Sequence, residues 1–337
     1  MNGLLDSKLL DQTPEEKIFH EIEKTLEVIT ESKTASPAIK LALYNFFKQN
    51  PDYKTEDLDR EIAKLDELAM KEESYKNNNK VPTVGTELEF PIEWITKNES
   101  DTLTILGVKN EPEPQYDHLH EVNQHFSYSS ETQARVIEEL KKARIIRVSD
   151  DQSLSLHVNF GVPKNLISRE DFQDVTNLAD FFVNVSTITY ASVQRIDTRK
   201  SANTFIAHAT DVEKNEKTGN LRFEIKTLGF ENLVAYRAVE ELQMICAAYF
   251  ASIKKKYDSG QCDGEDNKLQ TIWDEFVDEF IQLIDKYHPR GDSPIGIYSN
   301  YGQCVLLLKE HPEINEEARL IFSKYAREVK SLLFGDK

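Results

Sequence analysis

Cysteine is scarce in this 337-residue chain: Cys246, Cys262 and Cys304 stand far apart, without the spacing of a metal-binding set. An odd, sparse complement of thiols argues against a disulfide scaffold and fits a reducing compartment. Long hydrophobic runs are missing too, and none approaches the ~20 residues needed to cross a bilayer. The first residues lack the basic-then-apolar plan of a secretory signal. A cytoplasmic setting without membrane attachment is therefore expected, although a leaderless export route would leave no trace of this kind. Basic charge is also in short supply, with 41 Lys and Arg against 59 Asp and Glu and a net charge of -18. A mean field of that sign repels a phosphate backbone, so no nucleic-acid partner is expected. A single nucleotide is not excluded, because metal ions and a few cationic side chains can meet its charge locally. The aromatic residues show no base-stacking motif of an RNA-recognition sheet.

What remains is an ordinary globular composition, 39% hydrophobic and 30% charged, long enough to bury a sizeable core. Residues 1–80 read as an N-terminal helical module and linker. Thr13-Pro14-Glu15-Glu16 combines a capping hydroxyl, a proline at the first helical position and a capping-box glutamate. Ile18, Ile22, Leu26 and Ile29 follow at helical spacing, predicting a helix over 14–31. Ser36-Pro37 opens a second helix and Thr55 a third, before Asn77-Asn78-Asn79 breaks the pattern into a polar linker at 76–82. These helices could also contact a protein partner.

From Val84 the hydrophobic period becomes two. Strands are expected at 84–90, 92–97, 102–108, 117–126, 153–161, 203–212 and 221–228, the last two forming a hairpin. Helices are expected at 130–144, 169–193, 231–257, 267–287 and 313–333. Strands and helices do not alternate strictly. The pattern favours an α+β fold, a mainly antiparallel sheet packed on one side by helices, over a doubly wound one. Residues 81–337 would form that second unit, with a helical C-terminal part.

The segment Val84-Gly85-Thr86-Glu87-Leu88-Glu89-Phe90 carries two glutamates on one strand face, while Leu88 and Phe90 face a core. Chance alone supplies about ten acidic pairs at this separation in so acidic a chain. The pair therefore reads either as a solvated strand face or as a site for hard cations such as Mg²⁺ or Mn²⁺. Similar oddities recur downstream. Glu121 lies in a strand-like run, Ser155, His157 and Asn159 alternate with apolar residues, and so do Arg222, Glu224 and Lys226. A clustering of His, Glu, Asn, Arg and Lys on several strands suits a metal–nucleotide site: carboxylates and an imidazole hold cations, an amide orients a phosphate or ribose, and cations neutralise phosphoryl oxygens.

In order and kind, "VGTELEF", the Glu121 strand leading into a helix, "SLHVNFG", the helix bearing "NLADFFVNV" and "LRFEIKT" resemble the glutamine synthetase-like carboxylate–amine ligases. The likeness is to the amidoligase branch, with glutamate–cysteine ligases as relatives, and covers about residues 84–255. The resemblance implies a curved antiparallel sheet carrying the active site. It also implies divalent-metal ligands at Glu87, Glu89, Glu121, His157 and Glu224, with Asn159 touching the nucleotide or a phosphate. Arg222 and Lys226 would balance the phosphoryl group during catalysis. Lys226 stands where the family usually has Arg, keeping the charge but losing the two-pronged geometry. The implied activity uses ATP with Mg²⁺ or Mn²⁺ to join a carboxylate to an amine through an acyl phosphate, on small-molecule or peptide substrates. Two other readings are a non-catalytic nucleotide- or ligand-binding protein on a degenerate ligase scaffold, and a phosphotransferase of the guanido-kinase type.

Other features are given structural roles. Asp117, His118, His120 and His125 make a histidine-rich stretch, but His118 and His120 would face away from Glu121. The Gly- and Pro-rich 288–302 segment bearing Arg290 reads as a lid. Lys254, Lys255 and Lys256 read as a solvated helix end, where cations suit the dipole.

Overall fold

A computed structural model of the chain describes residues 12–29, 36–112, 119–123, 127–144, 155–162, 181–182, 184–190, 221–225, 236–257, 264–288 and 301–335. Three helices come first: α1 (Pro14–Leu26), α2 (Pro37–Gln49) and α3 (Thr55–Asn77). The capping box forms as its sequence demands, with Glu16 N–H donating to Thr13 Oγ1 at 3.2 Å and Thr13 N–H to Glu16 Oε2 at 2.7 Å. α1 is shorter than expected, giving way to a turn at Glu27–Ile29.

Then come β1 (Thr83–Pro91), a 3-10 turn (Ile92–Trp94), α4 (Lys97–Ile105), β2 (Lys109–Pro112), β3 (Leu119–Asn123), α5 (Ser130–Lys142), β4 (Ser155–Val162) and β5 (Leu221–Ile225). Helical residues follow β4 at 184–190. The chain closes with α6 (Tyr236–Tyr257), α7 (Gly264–Tyr287), α8 (Tyr301–Glu310) and α9 (Ile314–Phe334).

Two expected strands, 92–97 and 102–108, are replaced by the 3-10 turn and α4. The cause is a second capping box, in which Thr96 N–H donates to Glu99 Oε2 at 2.6 Å and Glu99 N–H to Thr96 Oγ1 at 3.3 Å. That box starts a helix which the strand-like Thr102–Ile105 run continues. Gly107, at φ 80°, ends it, a conformation that glycine adopts without the Cβ penalty. The expected strand at 203–212 and its hairpin lie outside the described residues, as does most of the 169–193 helix.

The strands form one sheet in the order β2-β3-β1-β4-β5, and every pairing is antiparallel. The architecture is α+β, as the absence of strict alternation predicted. One face of the sheet is apolar: Val84, Leu88, Phe90, Val122, Val158, Phe160 and Ile225 have no exposed surface. This face packs on α5 and α6, and its residues join a continuous apolar core with those of α2, α6, α7 and α9.

Several buried polar ties fix the helices to the sheet. Gln243 of α6 donates through Nε2 to the Pro82 and Tyr128 carbonyls at 2.7 and 2.6 Å, and its Oε1 accepts from Ser130 N–H at 3.1 Å. One side chain thereby holds the entrance of β1 and the start of α5. Glu72 of α3 accepts from Tyr128 N–H, Ser129 N–H and Thr132 Oγ1 at 2.6, 2.8 and 2.8 Å, placing an anion at the positive end of α5. Residues 78–82 are pinned as well, because Lys80 Nζ meets the buried Asp266 carboxylate at 2.9 Å. Lys254 is not a solvated helix end. Its ammonium meets the other Asp266 oxygen at 2.8 Å, a partner twelve positions along that helical periodicity does not reveal.

Glu240 of α6 sits among Tyr75 OH at 2.8 Å, Lys330 Nζ at 3.0 Å and Lys71 Nζ at 3.1 Å. Burial opposes its ionisation, but Lys71, the Tyr75 hydroxyl and Lys330 outweigh it and hold its pKa below the ordinary 4.5. A carboxylate depressed in this way contributes stability that is fully present above its unfolded value and is lost as pH falls through the folded one. Glu240→Gln is expected to cost about 2 kcal/mol at neutral pH. That difference should shrink in urea titrations as pH falls through the depressed folded value and wild-type Glu240 takes up its proton. An equal cost at neutral and acid pH would show that the ionised form is not what matters.

Among the described residues no helix is long and apolar enough to cross a membrane. Cys246 and Cys304 are buried in the core, and burial pushes Cys304 up to about 12. Neither is placed to act as a nucleophile. Cys262 lies outside the described residues.

Candidate functional site

The face of the sheet opposite the core carries nearly all the residues singled out from the sequence. Glu87 on β1 is flanked by Asn123 of β3 and His157 of β4, and Glu89 by Glu121 of β3 and Ser155 of β4. Asn159 lies across from Gly85 on one side and Glu224 on the other, while Arg222 lies across from Gly161. In a pleated sheet residues directly opposite share a face, so these positions form one polar surface over four strands.

The edge strand extends it. Glu111 lies opposite Glu121, and Lys109 opposite Asn123. The sequence pattern singles out neither, because it predicts a strand at 102–108 and none at 109–112. Lys109 Nζ meets Glu111 Oε1 at 2.6 Å. That hydrogen bond raises the lysine's pKa, against slight burial, and the charges of Glu111, Glu121 and Glu87 add to it.

Glu121 thus comes to the same surface as Glu87 and Glu89, and the neighbouring histidine does not. His120 is buried on the core side, with its ring 5.6 Å from that of Phe90. Burial lowers its pKa against the pull of Glu111. His118, His125, Arg290 and Lys226 lie outside the described residues.

At the centre is His157, whose side chain is only 3% exposed. Its Nδ1 stands 3.4 Å from Glu87 Oε2 and its Nε2 stands 3.6 Å from Glu89 Oε2. Asn159 Nδ2 donates to Glu87 Oε1 at 3.0 Å. An ionised carboxylate only accepts, so this contact fixes the orientation of the amide. Among the described residues Asn159 Oδ1 is then buried with no hydrogen-bond partner.

No family model matches this chain, and no curated protein matches it either. Among solved structures it is similar to a bifunctional glutathione synthetase from Pasteurella multocida, with 11% identity and a TM-score of 0.30. The match covers 78% of this chain and 53% of that protein, so the chain spans about half its length. A likeness of this size does not establish a common fold.

The chemistry of the face is therefore read from its own residues. Carboxylate, amide and imidazole donors suit a hard divalent cation, which takes mainly oxygen ligands. The orphaned Asn159 oxygen needs a cation or a hydrogen-bond donor, since leaving a buried acceptor unmet costs about 1–3 kcal/mol. Among the described residues no three acidic, imidazole or thiol side chains are gathered closely enough to hold an ion as they stand. The groups come instead as two adjoining pairs, Glu87 with His157 and His157 with Glu89, and Glu121 lies beside the second in register.

Proposed function

We propose that the polar face of the sheet binds a divalent cation, Mg²⁺ or Mn²⁺, and with it ATP, in a ligase that joins a carboxylate to an amine. The observation that carries this reading is the burial of His157 between two glutamates at 3.4 and 3.6 Å. Two carboxylates on either side of one imidazole gather acceptor atoms in a small space, an arrangement that suits a cation. Glu87, Glu89, Glu121, His157 and Glu224 are the metal-site set. So many acids repel a triphosphate unless cations intervene, which ties the nucleotide to the metal. Asn159, with its nitrogen engaged by Glu87, has an acceptor to offer and suits a ribose hydroxyl better than a phosphate oxygen. Arg222 and Lys226 are the cations assigned to the phosphoryl group. The resemblance of the strand motifs to carboxylate–amine ligases supplies the reaction class, and the substrates would be small-molecule or peptide carboxylates and amines.

The test is ATP turnover with Mg²⁺ or Mn²⁺ across a panel of amino acids, peptides and amines, with products weighed by mass spectrometry. A product lighter than its summed substrates by ~18 mass units is the expected mark of condensation. Phosphorylated substrate without condensation would point to a phosphotransferase. ATP binding without turnover on any substrate would leave a binding protein.

A further inference from the structure

We draw no further inference here: the strongest candidate, the cavity of about 120 Å³ beside α8 lined by His288, Gln303, Leu306, Leu307 and Glu310, carries nothing, because among the described residues no three metal-binding side chains gather there and nothing in the structure shows what covers it.

Discussion

Glu89→Ala should abolish Mn²⁺ binding and any ATP turnover, with at least a ~100-fold loss in each, while leaving the fold intact or slightly more stable. The two halves of this expectation come from one geometry. Glu89 lies directly across from Glu121, and Glu87 is two residues away on the same face. Like charges held opposite one another are destabilising by up to about 1 kcal/mol, so removing one relieves the sheet. No core packing is lost, because Leu88 and Phe90 on either side face the interior and are fully buried. The same deletion takes away the carboxylate facing His157 Nε2 at 3.6 Å. Urea denaturation and Mn²⁺ titration on one preparation separate the effects. Unchanged Mn²⁺ affinity in a folded Glu89→Ala protein would refute the metal role of this face.

The largest loss of stability is expected from Asp266→Ala, about 3–5 kcal/mol. Asp266 is 2% exposed and meets Lys80 at 2.9 Å and Lys254 at 2.8 Å. Both ammonium groups are themselves largely shielded, with side chains 17% and 22% exposed. Truncating the carboxylate would leave them close together without the buried acid between them, while Glu265 would still answer Lys80 at 2.9 Å. Breaking a buried pair in this way costs more than the pair contributes when intact, because the remaining charges are stranded. Lys80 precedes β1, Lys254 lies in the last turn of α6 and Asp266 in the first turn of α7, so the change should also loosen how α7 seats on α6. Denaturation midpoints in urea measure the cost. A loss under about 1 kcal/mol would place this cluster with ordinary surface ion pairs.

Much of the candidate site was legible because strand faces repeat every two residues, and the residues carrying the pattern are extreme. Leu88, Phe90, Val158 and Phe160 cannot be left in water, which forces Glu87, Glu89, His157 and Asn159 to the other side. Glu121 is put in the set by the resemblance, and the register then sets it opposite Glu89. Local chemistry misled where two signals competed. In 92–108 the β-branched and apolar residues favoured a strand, but the Thr96–Glu99 box started a helix and left β2 for the residues beyond Gly107. Most of the 288–302 segment read as a lid lies outside the described residues. Partners joined across the chain were not legible at all. Nothing in the pattern of α6 announces that Gln243 reaches Pro82 and Tyr128, or that Lys254 has a buried acid to meet.

Strand β1 is hydrogen-bonded on both flanks, to β3 and to β4, and its residues alternate between core and polar face along its whole length. A single residue inserted or deleted between 84 and 90 would turn the glutamates on one side of the change inward and Leu88 or Phe90 outward. Neither neighbouring strand could shift to absorb the error without repeating it in the next pair. The segment can therefore drift in sequence, one side chain at a time, but its length is frozen.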